Sequence, residues 1–182
     1  MNNNKKEEIK EKLLQGLRAD VLISSAGISV GDYDFVKDVL NDLGMEMVFW
    51  KVAMKPGKPL AFGRIGGKPV FGLPGNPVSS MVSFEQFVRP SLLKMMGYRQ
   101  LFRPIIEAIL KEDICKEPGR RHFIRAYVSF EKDRYFVAIT GAQGSGILKS
   151  MVKANGLAVI PEDREKVKAG EKVRVQLLDR SF

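Results

Sequence analysis

Two lysines on either side of a stiff turn are the clearest candidates for chemistry in this chain. Lys55 and Lys58 flank Pro56-Gly57, and Pro59 follows directly. Because proline fixes its own φ angle, the loop holds both ammonium groups near one point. Two like charges repel each other there unless an anion lies between them. The loop therefore predicts an anion-binding site, and the simpler alternative is a pair of independently solvated lysines.

A second turn offers backbone amides to the same kind of ligand. Residues 72–80 read Gly-Leu-Pro-Gly-Asn-Pro-Val-Ser-Ser and join an apolar strand-like run to an amphipathic helical run. Asn76 is a favourable N-cap, and Pro77 suits the first helical position. The amides of residues 78–80 would then point out of the helix start, where they can bind an anion. A tight turn with ordinary caps is the plainer interpretation.

An acidic helix start follows the first strand-like run. Asp34 suits the N-cap position of the helix that begins there. A capping carboxylate after a strand can also coordinate a Mg²⁺ ion that bridges phosphates. Ser29 and Gly31, in the preceding loop, can offer a hydroxyl and an amide to the same ligand.

Two arginines and a glycine-rich turn are the candidates in the second half of the chain. Arg121 and Arg125 have an even spacing in a strand-like run, so alternation places both on one polar face. Ordinary surface charge is the alternative for this pair. Gln143-Gly144-Ser145-Gly146 precedes a short helical run, and Ser150 lies one turn into it.

The first half of the chain alternates helical and strand-like patterns. This alternation predicts an α/β layer structure with a largely parallel sheet and functional loops at the carboxyl ends of its strands. Gly66-Gly67 is predicted to form a hairpin turn. The predicted helices are residues 4–17, 34–43 and 78–96, and the predicted strands are 19–24, 45–54, 60–65 and 69–73.

From residue 103 onward the pattern changes to short alternating strands separated by turn signals. Such a pattern predicts a second, mainly β domain, either a small barrel or a sandwich. The domains are expected at residues 1–100 and 101–182. The predicted strands are 105–110, 122–130, 135–139, 157–160 and 172–177, the one predicted helix is 147–153, and the turns are at 118–119, 132–133, 155–156 and 169–170.

Composition narrows the classes of partner and chemistry. The formal net charge of +9 indicates an anionic partner, but aromatic residues do not alternate with basic ones as in RNA-binding sheets, so nucleic acid is the weaker option. Cys115 and His122 are the only cysteine and histidine, which excludes a Cys/His zinc site and argues against a Ser-His-Asp triad. No segment resembles a membrane helix or a signal peptide, so a cytoplasmic location without a membrane partner is expected.

Taken in order, these stretches closely resemble the MoeA family, the molybdopterin molybdenumtransferases, which include the gephyrin E domain. The matching stretches are residues 24–34, 54–59, 72–80, 121–125 and 144–151. The resemblance implies an α/β three-layer domain of the MogA/MoeA type, incomplete at its N-terminus, followed by the small β-barrel domain of the MoeA C-terminus. The family inserts molybdate into adenylated molybdopterin and releases AMP, with help from Mg²⁺ or Zn²⁺, and its members form homodimers.

The resemblance also implies roles for individual residues. Asp34, Lys55 and Lys58 would be catalytic, and Asp34 would also bind the metal. The residues that would surround molybdate or the pterin nucleotide are Ser29, Gly31, Pro59, Pro74, Gly75, Asn76, Pro77, Ser79, Ser80, Arg121, Arg125, Ser145 and Ser150.

The sequence departs from the family pattern in two ways, and two alternatives stay open. Ala26 replaces a glycine of the first loop, and the domains that precede this region in the family are absent. The chain is therefore expected to be a fragment of the enzyme, with an exposed apolar sheet edge or face. The alternatives are a molybdopterin-binding module without turnover and a MogA-like molybdopterin adenylyltransferase, a class that normally lacks the β domain.

Overall fold

The computed structural model describes residues 2–25 and 33–178. The chain divides into two compact units, Met1–Val52 with Gly57–Val88 and Ala53–Pro56 with Arg89–Phe182. Up to residue 100 the elements are α1 (Asn2–Gly16), β1 (Leu22–Ser25), α2 (Tyr33–Asp42), β2 (Glu46–Lys51), β3 (Met54–Lys55), β4 (Pro59–Ile65), β5 (Lys68–Leu73), α3 (Pro77–Ser83), a π-helical turn (Phe84–Val88) and α4 (Arg89–Met95). After it they are β6 (Ile105–Leu110), β7 (Ile114–Cys115), β8 (Arg121–Glu131), β9 (Arg134–Ile139), α5 (Leu148–Val152), β10 (Gly156–Ile160), β11 (Lys166–Val167) and β12 (Lys172–Leu177).

The first unit is an α/β layer structure, as predicted, but its sheet is mixed. The strand order is β1-β5-β4-β2. Of the three pairings between these described strands, only β1–β5 is parallel, so the prediction of a largely parallel sheet is wrong. The reason is the hairpin at Gly66-Gly67, which was predicted correctly. Both glycines have positive φ angles, 56° and 78°, and the turn folds β5 back against β4.

Both faces of this sheet are covered, which gives three layers. On one face, Val70 of β5 packs with Leu13 of α1 and Val39 of α2. On the other, the next residue of β5, Phe71, begins a row of rings. Its ring centroid lies 4.7 Å from that of Phe62, and the row continues through Phe49 to Phe87 in the π-helical turn.

The second unit contains a closed five-stranded barrel. Its strands follow the order β10-β12-β6-β9-β8, and β10 also pairs with β8 to close the ring. Ile124, Ala126 and Val128 alternate along β8 and point into a core that also contains Val137 and Val175. The prediction of a small barrel is therefore confirmed. No described helix is both long and apolar enough to span a membrane.

The turn expected at Asn155-Gly156 separates α5 from β10, but it ends one residue earlier than predicted, because Asn155 is a bend. Gly156 is already the first residue of β10. The Asn155 side chain accepts a hydrogen bond from the Val128 amide at 2.7 Å and donates one to the Val128 carbonyl at 3.0 Å. The Asn155 side chain thus bonds to the backbone of β8 much as a neighbouring strand would. The Asn-Gly sequence, which often signals a turn, here leads directly into β10.

Candidate functional site

The strand ends next to the three predicted loops lie at one edge of the sheet in the first unit. Ser25, the last residue of β1, lies opposite Leu73, the last residue of β5. In the antiparallel β4–β5 pair, Ala61 lies opposite Gly72, so the start of β4 is beside the end of β5. The end of β1, the turn after β5 and the start of β4 therefore meet at this edge. Such an edge, at the carboxyl ends of parallel strands, is where α/β proteins bind ligands.

The turn after β5 forms the predicted cap but leaves fewer free amides than expected. Asn76 is the N-cap, and its side chain accepts a hydrogen bond from the Ser79 amide at 3.4 Å. The Ser80 amide donates to the Asn76 carbonyl at 2.9 Å, and the Ser80 hydroxyl donates to the Pro74 carbonyl. Two of the three amides predicted to face an anion are therefore used within the turn. Ser79 is buried, while Gly75 and Pro77 are exposed.

Replacing Asn76 by alanine should destabilise this turn. The variant loses the side-chain acceptor of the Ser79 amide, and we expect the free energy of unfolding to fall by about 1 kcal/mol. Chemical denaturation monitored by the fluorescence of Trp50, in the first unit, would measure the loss. Asn76→Ser is the control, because serine caps helices about as well as asparagine. Equal losses in both variants would contradict a capping role.

The lysine loop is anchored through its backbone and exposes its side chains. The Lys58 carbonyl accepts a hydrogen bond from the Val52 amide at 3.1 Å, and Lys55 lies in β3, which pairs with β8. Pro56 and Gly57 are buried, while Lys55 and Lys58 are exposed. Among the described residues, neither lysine has a carboxylate within ion-pair distance. Within the described part of the chain, both ammonium groups are therefore exposed and not neutralised by a carboxylate.

Arg125 is buried, which corrects the expectation of two arginines on a polar face. It is 1% exposed, and burial lowers the pKa of its guanidinium. Its Nε donates to the Ser150 hydroxyl at 3.1 Å, and Nη2 donates to the carbonyls of Ala142 and Gly144 at 3.3 and 3.0 Å. Arg121 is exposed and pairs with Glu162 at 3.2 Å.

Further hydrogen bonds tie the segment before α5 to β8. Gln143 accepts from the Arg125 amide at 2.9 Å and donates to the Arg125 carbonyl at 3.1 Å. Thr140 Oγ1 is 3.0 Å from the Arg125 carbonyl and 2.6 Å from the Ser150 carbonyl. Ser150 is 2% exposed and Ser145 is exposed. Of the residues predicted here, Ser145 is thus open to a ligand, while Arg125 and Ser150 bond to each other.

His122 is the residue that sequence reasoning missed. It is 7% exposed, and its Nε2 atom has no hydrogen-bond partner among the described residues. Burial, together with the nearby charges of Lys116, Lys55 and Arg120, lowers the pKa of the imidazole to about 4. The sequence carries no signal for this environment, because it depends on the pairing of β3 with β8.

The site residues predicted around the acidic helix start lie outside the part of the chain that the structure describes. Ser29 and Gly31 lie outside the described residues, and so does the side chain of Asp34, whose backbone is in α2. In the part of the chain that is described, no group of three His, Cys, Asp or Glu side chains is placed to hold a metal ion.

Comparisons with known proteins agree with the two-part architecture. Residues 2–94 match the family described as "Probable molybdopterin binding domain", and residues 107–178 match "MoeA C-terminal region (domain IV)". The chain is 42% identical over 161 residues to a molybdopterin molybdenumtransferase of Haemophilus influenzae, which covers 87% of this chain and 40% of the relative. A Staphylococcus aureus protein of the same name is 34% identical over 160 residues, 88% of this chain and 38% of the relative.

Solved structures give the same result. The fold is similar to the crystal structure of the molybdopterin biosynthesis moea protein from Pyrococcus horikosii, with a TM-score of 0.78 and 33% identity. That match covers 96% of this chain and 41% of the other. The chain spans about two fifths of the length of the relatives it matches.

Proposed function

The chain belongs to the MoeA family, and on that premise we propose that it carries part of the machinery that inserts molybdate into adenylated molybdopterin with release of AMP. The observation that carries the proposal is the order of two domains in one chain, a molybdopterin-binding domain followed by the MoeA C-terminal region. A MogA-like adenylyltransferase, the alternative enzyme, does not account for residues 107–178.

The lysine loop supplies the chemistry that an oxyanion substrate requires. Molybdate is a dianion, and the phosphates of an adenylated pterin add further negative charge. Lys55 and Lys58 have no described carboxylate partner, so their charges can offset those of the substrates as molybdenum moves to the dithiolene sulfurs and AMP leaves. Pro59 begins β4, where it would lie beside the molybdate. Pro74 and Gly75 directly follow β5, and Pro74 would border the pterin nucleotide.

The proposal includes a divalent cation, and Asp34 is the one residue proposed to bind it. A single carboxylate fits Mg²⁺, which keeps several waters and binds substrate phosphates, and Zn²⁺ is the other candidate. The proposal further includes a cytoplasmic location and a homodimer, with small anionic substrates rather than nucleic acid or a membrane as partners.

Removal of either loop lysine should weaken oxyanion binding and spare the fold. For Lys55→Ala and Lys58→Ala we expect about tenfold weaker binding of molybdate, because each variant removes one charge-assisted contact. Both side chains are exposed, so the free energy of unfolding should stay unchanged. Calorimetric titration with molybdate at pH 7.5 measures the affinity. Lys153→Ala, another exposed lysine, is the control, and unchanged affinity in both loop variants would remove the loop from the site.

A turnover assay separates the proposed enzyme from its alternatives. The chain would be mixed with adenylated molybdopterin, molybdate and Mg²⁺, and AMP would be measured. AMP release that requires molybdate supports the proposal. Binding of the adenylated pterin without AMP release would favour a binding module, and absence of both would overturn the proposal for this chain.

A further inference from the structure

The start of β8 carries a buried histidine beside one of the loop lysines. In the parallel β3–β8 pair, Lys55 lies opposite His122, so the two side chains leave the strands on the same side. Arg120 immediately precedes β8 and is half-buried. His122 itself is 7% exposed, and no described residue bonds to its Nε2 atom. A buried polar atom without a partner is rare in folded proteins and calls for an explanation.

The charged side chains that act on the imidazole are cations. Lys55, Lys116 and Arg120 all lower the pKa of His122, in addition to burial. Lys116 Nζ donates to three backbone carbonyls, those of Glu117, Arg120 and Glu162, at 3.1 to 3.2 Å. Carbonyls are neutral, so these bonds fix the position of the Lys116 charge without cancelling it.

Glu162, the first acidic residue after the neighbouring strand β10, already has an ion-pair partner. Glu162 follows β10, which lies beside β8 with Ile160 opposite His122. Its two carboxylate oxygens accept from Nε and Nη2 of Arg121 at 3.2 and 3.3 Å. The described surroundings of His122 therefore combine several positive charges with an unpaired ring nitrogen. A bound anion would relieve the repulsion between these cations.

We propose that Lys55, Arg120 and His122 form a binding site for a tetrahedral oxyanion, and that the imidazole takes up a proton when the anion binds. The inference rests on the proposed function in one respect, the exposure of Lys55 to an oxyanion substrate. The anion has two possible sources, free molybdate or a phosphate group of the nucleotide. Both present the same tetrahedral oxygens and negative charge.

The charges around His122 explain why its imidazole would take up a proton when an anion binds. In the free protein burial and the cations hold the imidazole neutral near pH 7. An anion beside Lys55 and Arg120 offsets their positive charge and favours the imidazolium, so the pKa of His122 rises on binding. By linkage, the bound state holds more protons, and anion affinity increases as the pH falls from 6 toward 4, the range in which the bound and free pKa values lie.

NMR of the histidine ring tests the site directly, because the 182-residue chain contains a single histidine. The probe is sulfate, a tetrahedral anion that stays essentially fully deprotonated between about pH 3.5 and 8, with potassium chloride at equal ionic strength as the reference. We expect saturating sulfate to raise the pKa of His122 by about one unit. At pH 7.5, displacement of sulfate by molybdate would assign the site to the free oxyanion, and displacement by AMP would assign it to the nucleotide phosphate.

Neighbouring arginines provide a matched pair of variants. Arg120→Gln should weaken sulfate binding at least about fivefold, whereas Arg121→Gln, which removes the same charge one residue away, should change it less than about twofold. His122→Gln should still bind sulfate but lose the increase in affinity between pH 6 and pH 4. A pKa of His122 that responds to sulfate no more than to chloride, or equal losses in the two arginine variants, would overturn the proposal.

The two proposals fail separately. If AMP is released in the turnover assay but sulfate leaves His122 unchanged, the oxyanion site at β8 is wrong and the proposed function stands. If sulfate raises the pKa of His122 but no AMP is released, the anion site stands and the proposed function does not.

Discussion

Replacing Arg125 by methionine should lower the free energy of unfolding of the second unit by about 3 kcal/mol. The guanidinium donates to Ser150 Oγ and to the carbonyls of Ala142 and Gly144, and it is 1% exposed. Methionine fills a similar volume but donates no hydrogen bond, so buried acceptors are left without a partner. Urea denaturation followed by far-ultraviolet circular dichroism measures the loss. The fluorescence of Trp50, the only tryptophan, follows the first unit separately.

Arg121→Met is the matched control for this prediction. Arg121 lies four residues earlier and is the first residue of the same strand, but its side chain is 52% exposed and pairs with Glu162. Exposed ion pairs contribute about 0 to 1 kcal/mol, so the control should lose less than about 1 kcal/mol. Similar losses in the two variants would mean that the hydrogen bonds of Arg125 add no stability.

The two arginines also show what alternation in a sequence can and cannot predict. Their even spacing correctly indicates one face of β8, because side chains alternate along a strand. It does not reveal that residues 140–150 lie over Arg125 and leave Arg121 uncovered. That covering depends on hydrogen bonds from Thr140 and Gln143 to the Arg125 backbone, which join positions 15 and 18 residues apart. No local pattern records contacts at this separation.

The strands that the sequence predicts are longer than the strands that it misses. Two of the six-residue strands, β6 and β12, were predicted with the observed bounds, since six residues suffice to display an apolar-polar alternation. The two-residue strands β3, β7 and β11 are too short to display one. Of these, β3 bears directly on the candidate site, because its pairing with β8 brings Lys55 beside His122.

The resemblance and the structure give Arg125 different immediate partners. The resemblance implies contact with molybdate, whereas the described side chain bonds to Ser150 and to the segment that contains Ser145. We therefore expect Arg125 to influence ligand binding by positioning that segment. Under this interpretation, Arg125→Met should weaken oxyanion binding even at low temperature in the absence of denaturant, where the variant is still folded.

Acidification should destabilise the second unit through His122. The pKa of this histidine is about 4 in the folded protein and 6.5 when unperturbed. Well above pH 6.5 the imidazole is neutral in both states and contributes no pH dependence. Between pH 6.5 and pH 4 the unfolded chain binds the proton more readily than the folded chain, so the free energy of unfolding falls as the pH falls. The loss should reach about 2 to 3 kcal/mol at pH 4.

A comparison with His122→Gln isolates this contribution. Carboxylates also titrate in this range, but both chains contain the same carboxylates. The difference between the two chains in how the free energy of unfolding depends on pH therefore reports on residue 122. That difference should shrink from pH 6.5 to pH 4 as the wild-type chain loses its advantage, and parallel profiles would show that burial of the neutral imidazole does not control the stability. Sulfate provides a second comparison. An anion that raises the pKa of His122 in the folded state should reduce the loss of stability of the wild-type chain on acidification. It should not change the pH dependence of the stability of the glutamine variant.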